Sequence, residues 1–321
     1  MTTRQIDRIV LYGGIFKKKH TPTLQEAAPG AEVIITNDLA EALAAVPEAQ
    51  VYAGMSEEFT PDIVRKGKKL KWIQALSAGV EAMLIPEIVH SPLLLTNVAG
   101  IHAQPIAEHV LAMILAFSRR FPAFFRQQGQ ATWQRLRQDE VTGRNVLVIG
   151  FGHIGQAVAH RCRAFDMRVL AVRRHPAPHP LADSVLPPEE LHTGLAQADY
   201  VVLAVPLTAD TKQLIGTREL AAMKGSAYLI NVSRGDVVDE EALIAALQDG
   251  TIAGAGLDVF AQEPLPPKSP FWRMENVIVT PHQAGGTPHY NKRAMALFAD
   301  NLRRYLAGEP LINVVDKQLG Y

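Results

Sequence analysis

The chain has 321 residues, 48% of them hydrophobic and 20% charged, which is ordinary globular material with room for two cored domains rather than a disordered or fibrous composition. Its 32 basic and 32 acidic side chains cancel, so no global field recruits nucleic acid or an acidic membrane surface. One cysteine, Cys162, excludes an internal disulfide and any multi-cysteine metal site, so no metal is expected; it suits a reducing cytoplasm and reads as a small packing residue.

Met1 to Gly14 lacks the cationic stretch, long apolar segment and small-residue cleavage site of a signal peptide and contains a first strand instead, Arg8 to Tyr12. Short β-type runs at Glu32 to Ile35, Val51 to Ala53, Trp72 to Ala75 and Leu93 to Thr96 alternate with helical stretches such as Leu39 to Val46 and Pro61 to Lys66, the pattern of a small α/β domain. Between the last two of those strands lies Leu76-Ser77-Ala78-Gly79-Val80-Glu81. Its small residues admit two readings, amides pointing into a cleft as anion donors or an ordinary strand-to-helix turn. A long apolar helix from Gln104 to Ser118 follows; it is too short to span a bilayer and carries Glu108 and His109, so no membrane segment is expected. From Phe121 to Glu140, Phe124, Phe125 and Trp133 stand among Arg and Gln, a stretch that packs either on another subunit or within the chain.

The apolar run Arg144 to Ile149 stops at Gly150-Phe151-Gly152-His153-Ile154-Gly155 and continues as a helix, and Arg168 to Val172 supplies a second strand. Gly150 permits the turn, Gly152 lets amides approach a pyrophosphate, and Gly155 lets the helix pack closely on its strand with its N-terminus facing the anion. A lone glycine motif is a weak sign, whereas this strand–loop–helix–strand context points to a dinucleotide. Apolar strands at Tyr200 to Val205, Ala227 to Val232, Gly254 to Val259 and Val277 to Thr280, with helices at Thr217 to Met223 and Asp239 to Asp249, imply a parallel sheet covered on both faces. A closing helix is predicted from Pro288 to Ala307, with Thr287 as its N-cap and Pro288 in its first turn.

Three polar clusters follow strands of that sheet, where this architecture places ligands. They are Asn231 to Asp236, Asp258 to Pro264 and Pro281 to Gly286. Taken singly, Arg234 also reads as a surface turn arginine, Glu263 as a loop carboxylate before proline and His282 as a structural histidine. Jointly they form a functional set. An arginine fork orients a carboxylate, and a histidine beside a carboxylate carries a proton near neutral pH, which suits hydride reduction of a 2-keto acid with a proton delivered to the carbonyl oxygen.

Gly150 to Gly155, Asn231-Val232-Ser233-Arg234-Gly235, Gly256-Leu257-Asp258-Val259-Phe260 with Glu263-Pro264, and Thr280-Pro281-His282 with Ala284-Gly285 closely resemble the D-isomer-specific 2-hydroxyacid dehydrogenases over nearly the whole chain. The resemblance implies an α/β fold of two Rossmann-like domains with parallel sheets: a cofactor domain, residues 99–288, inserted into a discontinuous substrate domain, residues 1–98 and 289–321, with a cleft between them and a homodimer formed mainly through the cofactor domain. It implies that Arg234 anchors the substrate, that His282 is the acid–base residue contacting it, and that Glu263 orients His282 and supports its protonation. Ala78 and Gly79 match the loop whose amides hold the substrate carboxylate. Cofactor contacts fall at Gly150, Phe151, Gly152, His153, Ile154 and Gly155, at Val205, Pro206 and Thr211, at Val232 and Ser233, at Asp258 as the nicotinamide-carboxamide residue, and at Ala284 and Gly285. Glutamate rather than glutamine at 263 separates the chain from the related formate dehydrogenases, and a chain ending at Tyr321 is expected to lack the regulatory domain of long phosphoglycerate dehydrogenases.

Val172-Arg173-Arg174-His175 stands where an NAD enzyme carries Asp or Glu for the ribose 2'-hydroxyl. Arg173 and Arg174 attract a 2'-phosphate, so NADP is expected as cofactor, NAD being the other choice if one arginine merely stacks on adenine. Ser118-Arg119-Arg120-Phe121 with Gln127, Gln128 and Trp133, and Ser269-Pro270-Phe271-Trp272, are similar to the glyoxylate and hydroxypyruvate reductase group. The resulting expectation is a cytoplasmic reductase of a small 2-keto acid. The alternatives are an NAD-dependent relative for a bulkier acid and a dinucleotide-sensing protein like the corepressors that share the fold. Pocket width depends on how Tyr52, Met55, Ser77 and Trp272 face the cleft, which spacing does not settle.

Overall fold

Strands of three to five residues, most of them rich in Val, Ile and Leu and separated by Gly, Pro and capping residues, build two separate parallel sheets in the computed structural model of the chain. The structure describes residues 5–13 and 16–320; Met1 to Arg4 and Gly14, which the signal-peptide reading also covers, lie outside them, as do Ile15 and Tyr321. The described residues divide into two compact units, one within Met1–Ile101 and Thr287–Tyr321, the other within His102–Gly286. No helix among them is long and apolar enough to cross a membrane.

The first unit opens with β1 (Arg8–Tyr12), α1 (Thr21–Ala27), β2 (Glu32–Thr36), α2 (Leu39–Ala45), β3 (Val51–Gly54), α3 (Asp62–Lys66), β4 (Trp72–Ala75), α4 (Pro86–Val89) and β5 (Leu94–Thr96). The strand order is β2-β1-β3-β4-β5, every pairing parallel. Asp38 caps α2 by accepting from the Ala40 and Glu41 amides, satisfying donors that the helix cannot. Tyr52 is fully buried in this core, in the cluster that also holds Ile63, Ile73 and Met83.

The second unit holds α5 (Ala103–Ser118), α6 (Phe121–Gly129), β6 (Asn145–Ile149), α7 (His153–Ala164), β7 (Arg168–Val172), β8 (Ser184–Leu186), α8 (Leu191–Gln197), β9 (Tyr200–Leu203), α9 (Thr217–Ala222), β10 (Tyr228–Asn231), α10 (Glu240–Gln248), β11 (Gly254–Leu257) and β12 (Val277–Val279). Its seven strands run β12-β11-β10-β9-β6-β7-β8, again all parallel. The chain therefore winds outward from β6 in both directions, and the order reverses between β6 and β9, where sheets of this kind bind ligands. Helices cover both faces. Ile106, Val110, Met113, Ile114 and Phe117 of α5 pack with Val146, Val148, Val158 and Val202 on one side, while α8, α9 and α10 bury Leu195, Leu220 and Leu243 against Leu147, Val201 and Leu229 on the other. Cys162 is buried in α7, and burial pushes its thiol up to about 12.

The chain then returns to the first unit through α11 (Tyr290–Ala307). Trp72 of β4 stacks on Tyr305 at 5.6 Å and meets Phe298 edge-on at 5.5 Å, pairs that each add roughly 1 kcal/mol beyond burial. The helix starts two residues later than the sequence suggests. Thr287 is not its N-cap; the threonine hydroxyl accepts from the His289 amide in a turn, Pro288 sits in that turn, and His289 occupies the cap position without a side-chain bond to the helix. Gly308, in the left-handed region at φ 73°, ends it.

Candidate active site

The parallel register sets Asn231, Leu257 and Val279 side by side at the ends of β10, β11 and β12. The loops carrying Arg234, Glu263 and His282 therefore leave the sheet at one end. Gly235 packs so closely that a Cβ there would overlap the Phe260 carbonyl and the Ala261 nitrogen, so the arginine loop rests on the loop that carries Glu263. Behind Arg234, the buried Asn231 side chain accepts from the Ser233 amide at 3.0 Å and the Ser233 hydroxyl at 2.7 Å and donates to the Arg234 carbonyl at 3.0 Å. Arg234 Nη1 in turn donates to the Ser233 carbonyl at 2.8 Å.

His282 and Glu263 are in direct contact. His282 Nδ1 lies 2.8 Å from Glu263 Oε2, while Glu263 Oε1 accepts from the Phe260 amide at 3.0 Å. A carboxylate held at both oxygens fixes the ring with a hydrogen on Nδ1 and leaves Nε2 for a ligand. About half of the His282 side chain is exposed. Its backbone φ of 51° is the left-handed conformation that a residue with a Cβ adopts only when its surroundings impose it. Here Asp258 imposes it. The His282 amide bonds to the Asp258 carbonyl at 2.8 Å, and the Asp258 carboxylate accepts from the Gln283 amide at 2.9 Å and the Ala284 amide at 2.8 Å. Asp258, read from sequence as the nicotinamide-carboxamide residue, is 2% exposed and spends both oxygens on this turn.

At the switch point, Gly150 takes φ 94° and lies against the Ala204 carbonyl and Val205, so Val205 and Pro206 adjoin the glycine loop. A Cβ on Gly155 would collide with the Gly150 carbonyl, which is why this position accepts no side chain. Gly152 is the N-cap of α7 and no side chain caps that helix, leaving the amides of His153 and Ile154 to face an anion, while Phe151 is buried. Thr211 closes its loop by donating to the Pro206 carbonyl at 2.6 Å and accepting from the Thr208 amide at 2.8 Å. Val232 and Ser233 are buried after β10, and Ala284 is buried beside Gly285. Arg173 and Arg174 follow β7, and Arg174 pairs with Asp210 at 3.1 Å, which joins the end of β7 to the Thr211 loop. An uncapped helix N-terminus behind a glycine-spaced loop, with arginines in place of a carboxylate at the second strand, fits a phosphorylated dinucleotide.

In the first unit, Ala78 and Gly79 follow β4. Ser77 donates to the Gly79 carbonyl at 2.7 Å and accepts from the Ser56 amide at 3.1 Å, and Asn97 donates to the Ala78 carbonyl at 2.9 Å. The Ala78 and Gly79 carbonyls are thus engaged within the unit, while the Ala78 and Gly79 amides make no hydrogen bond among the described residues. Asn231 and Thr280 stand in motifs that the sequence singles out and His109 on its long helix, but sequence reading assigned none of them, nor Asn97, a role of its own; the structure shows each bracing a loop that carries a candidate residue. Their signal was only that polar residues stand at strand ends or within an otherwise apolar helix. Trp272 is half exposed and donates to the Pro266 carbonyl of its own loop at 3.0 Å. Phe125, whose ring lies 5.9 Å from that of Phe121, and Trp133, 94% exposed, remain largely uncovered among the described residues.

Residues 111–284 match the family model described as D-isomer specific 2-hydroxyacid dehydrogenase, NAD binding domain. A glyoxylate/hydroxypyruvate reductase B from Yersinia enterocolitica is 33% identical over 320 residues, 97% of this chain and 98% of that one. A D-isomer specific 2-hydroxyacid dehydrogenase from Xanthobacter autotrophicus, solved with NADPH and MES, is 32% identical with a TM-score of 0.86 over 98% of this chain and all of the other. An NADPH-dependent glyoxylate/hydroxypyruvate reductase from Sinorhizobium meliloti, solved with NADP and sulfate, is 27% identical with a TM-score of 0.85 and the same coverage. With four motifs in one order, two parallel sheets and these relatives, the chain belongs to the D-isomer-specific 2-hydroxyacid dehydrogenase family.

Proposed function

We propose that the protein is an NADPH-preferring reductase that converts a small 2-keto acid of the glyoxylate or hydroxypyruvate type to its 2-hydroxy acid. The observation that carries this reading is the His282–Glu263 pair, held at the same end of the sheet as a glycine loop followed by arginines. Residues 99–288 serve as the NAD(P)-binding domain and residues 1–98 with 289–321 as the substrate domain. Bound NADPH supplies the hydride. The Arg234 guanidinium and the Ala78 and Gly79 amides hold the substrate carboxylate, and Arg234 also polarises the carbonyl. His282 delivers a proton from Nε2 to the carbonyl oxygen, while Glu263 keeps the ring aimed by holding Nδ1. Arg173 and Arg174 take the 2'-phosphate, Arg174 exchanging Asp210 for it.

Initial rates with glyoxylate, hydroxypyruvate, pyruvate and phenylpyruvate, each with NADPH and NADH at matched concentration, test the reading. Strong turnover of a small acid with NADPH is expected. A preference for NADH would remove the role given to Arg173 and Arg174, a preference for phenylpyruvate would remove the small acid, and tight NADPH binding without turnover of any acid would favour a dinucleotide sensor.

The protein works in a reducing cytoplasm, where the lone buried Cys162 needs no partner; recovery outside the soluble fraction of a lysate would contradict this. It assembles as a homodimer through the second unit. Support comes from exposed Phe125 and Trp133 and from a groove of about 670 Å³ lined by Phe124, Gln127 and Trp133. Sedimentation should give twice the 35.1 kDa chain mass, and a stable monomer at micromolar concentration would sink the dimer.

A further inference from the structure

His282 sits in a strained turn, and the structure shows what holds that turn from outside. Two imidazoles on one helix reach the segment 280–286. His102, at the N-cap of α5, lies with Nδ1 3.1 Å from the Gly285 carbonyl, and His109, seven residues and two turns later on the same face, lies with Nε2 3.1 Å from the Thr280 hydroxyl. Both are 171 or more residues away in sequence from what they touch. The helix that carries them is itself immobilised, with Met113 filling the space beside Gly256 of β11 and Val110, Ile114 and Phe117 buried in the core.

The hydrogen positions follow from counting donors. Thr280 has one hydroxyl hydrogen and gives it to Asp258 Oδ1 at 2.5 Å. Toward His109 the hydroxyl oxygen is therefore an acceptor, and His109 carries its hydrogen on Nε2. The same Asp258 carboxylate receives the Gln283 and Ala284 amides that force His282 to positive φ. A directed chain thus runs from His109 to Thr280 to Asp258 and ends in the two backbone amides that directly follow the proposed proton donor. His109 Nε2 is also 3.9 Å from Asp258 Oδ1, near enough to ease the burial of that carboxylate.

We infer that His109 is a positioning residue for the reaction: by donating from Nε2 to Thr280 it orients the Asp258 carboxylate, which fixes the 282–284 turn and with it the aim of the His282 ring. The inference rests on the reading of His282 as the proton donor. Glu263 fixes the ring from its Nδ1 side and the α5 chain fixes its backbone, so the two constraints act on different atoms and neither replaces the other.

The test compares His109→Phe, which fills the space without a donor, with His109→Gln, whose side-chain amide can donate from nearly the same place. Amide hydrogen exchange at Gln283 and Ala284 should quicken at least about tenfold in the Phe variant, and kcat should fall by about ten to a hundredfold, the scale expected of misplaced acid–base groups. The dissociation constant for NADP+ by calorimetry should stay within about threefold, and the Gln variant should regain most of both losses. Combining His109→Phe with Thr280→Val should cost no more than Thr280→Val alone, because the two residues act in one chain. Unchanged exchange in His109→Phe, a Gln variant as impaired as the Phe variant, or multiplying effects would overturn the inference. Quickened exchange with full turnover would overturn the assignment of His282 instead.

Discussion

Tyr52 buries a phenol whose oxygen has no partner among the described residues, packed edge-on to Phe59 and fully inside the core of the first unit. A buried hydroxyl left unbonded costs about 1 to 3 kcal/mol, so Tyr52→Phe should raise stability by up to that amount and lift the melting temperature by a few degrees. Burial, with repulsion from Tyr12 and Glu58 behind it, pushes this phenol up from its ordinary value. The unfolded chain therefore ionises Tyr52 near pH 10 while the folded protein does not, stability falls as pH rises past that point, and the Phe variant should lose less there. A melting temperature lowered by the substitution would show that the hydroxyl has a partner after all.

At the same scale, His282, Glu263 and Arg234 were legible as candidates because each stands shortly after an apolar strand, in a glycine- and proline-marked loop where this architecture puts ligands. Asn97, Thr280 and His109 were not. Periodicity says that His109 lies on a helix; it does not say which loop, 171 residues onward, its ring meets. Asp258 was legible as a site residue, yet its partners were not, since a carboxylate that faces a cofactor and one that ties three groups of a turn look alike in sequence.

Among the elements, most strands were readable and their ends were not. Four strands of the second sheet stop one to two residues before the expected boundary, as at Leu203 rather than Val205 and Leu257 rather than Val259, because the loop backbone turns away to make the site. β8, three half-buried residues after a proline-rich connector, gave too short a pattern to read. Thr287 looked like a cap because Thr-Pro is a usual helix start, but its hydroxyl serves a preceding turn. The return of residues 289–321 to the first unit was implied by the resemblance, and the means are specific. Asn301, fully buried, accepts from the Ile312 amide at 2.7 Å and donates to the Ile312 carbonyl at 3.0 Å and to Gln74 at 3.3 Å, while Gln74 also accepts from Thr96 at 2.8 Å and Thr96 from the Trp72 indole at 2.7 Å. A satisfied buried network of this kind locks the closing segment to β4 and β5 in one register. Nothing in the spacing of those residues announces it.

Across the molecule, two sheets wind outward from a central strand, and one chain segment leaves the first unit at residue 101 and returns at 287. His282 and Glu263, the glycine loop and the two arginines all belong to the second unit, whereas Ala78 and Gly79 belong to the first. On this account the chemistry is concentrated in His282, and a single substitution separates it from cofactor binding. The decisive measurement is His282→Gln assayed for turnover of glyoxylate with NADPH and for NADP+ binding by calorimetry. With His282 as proton donor, kcat should fall by about a hundred- to a thousandfold while the dissociation constant changes by less than about threefold; equal losses in both, or turnover close to that of the parent protein, would rule that role out.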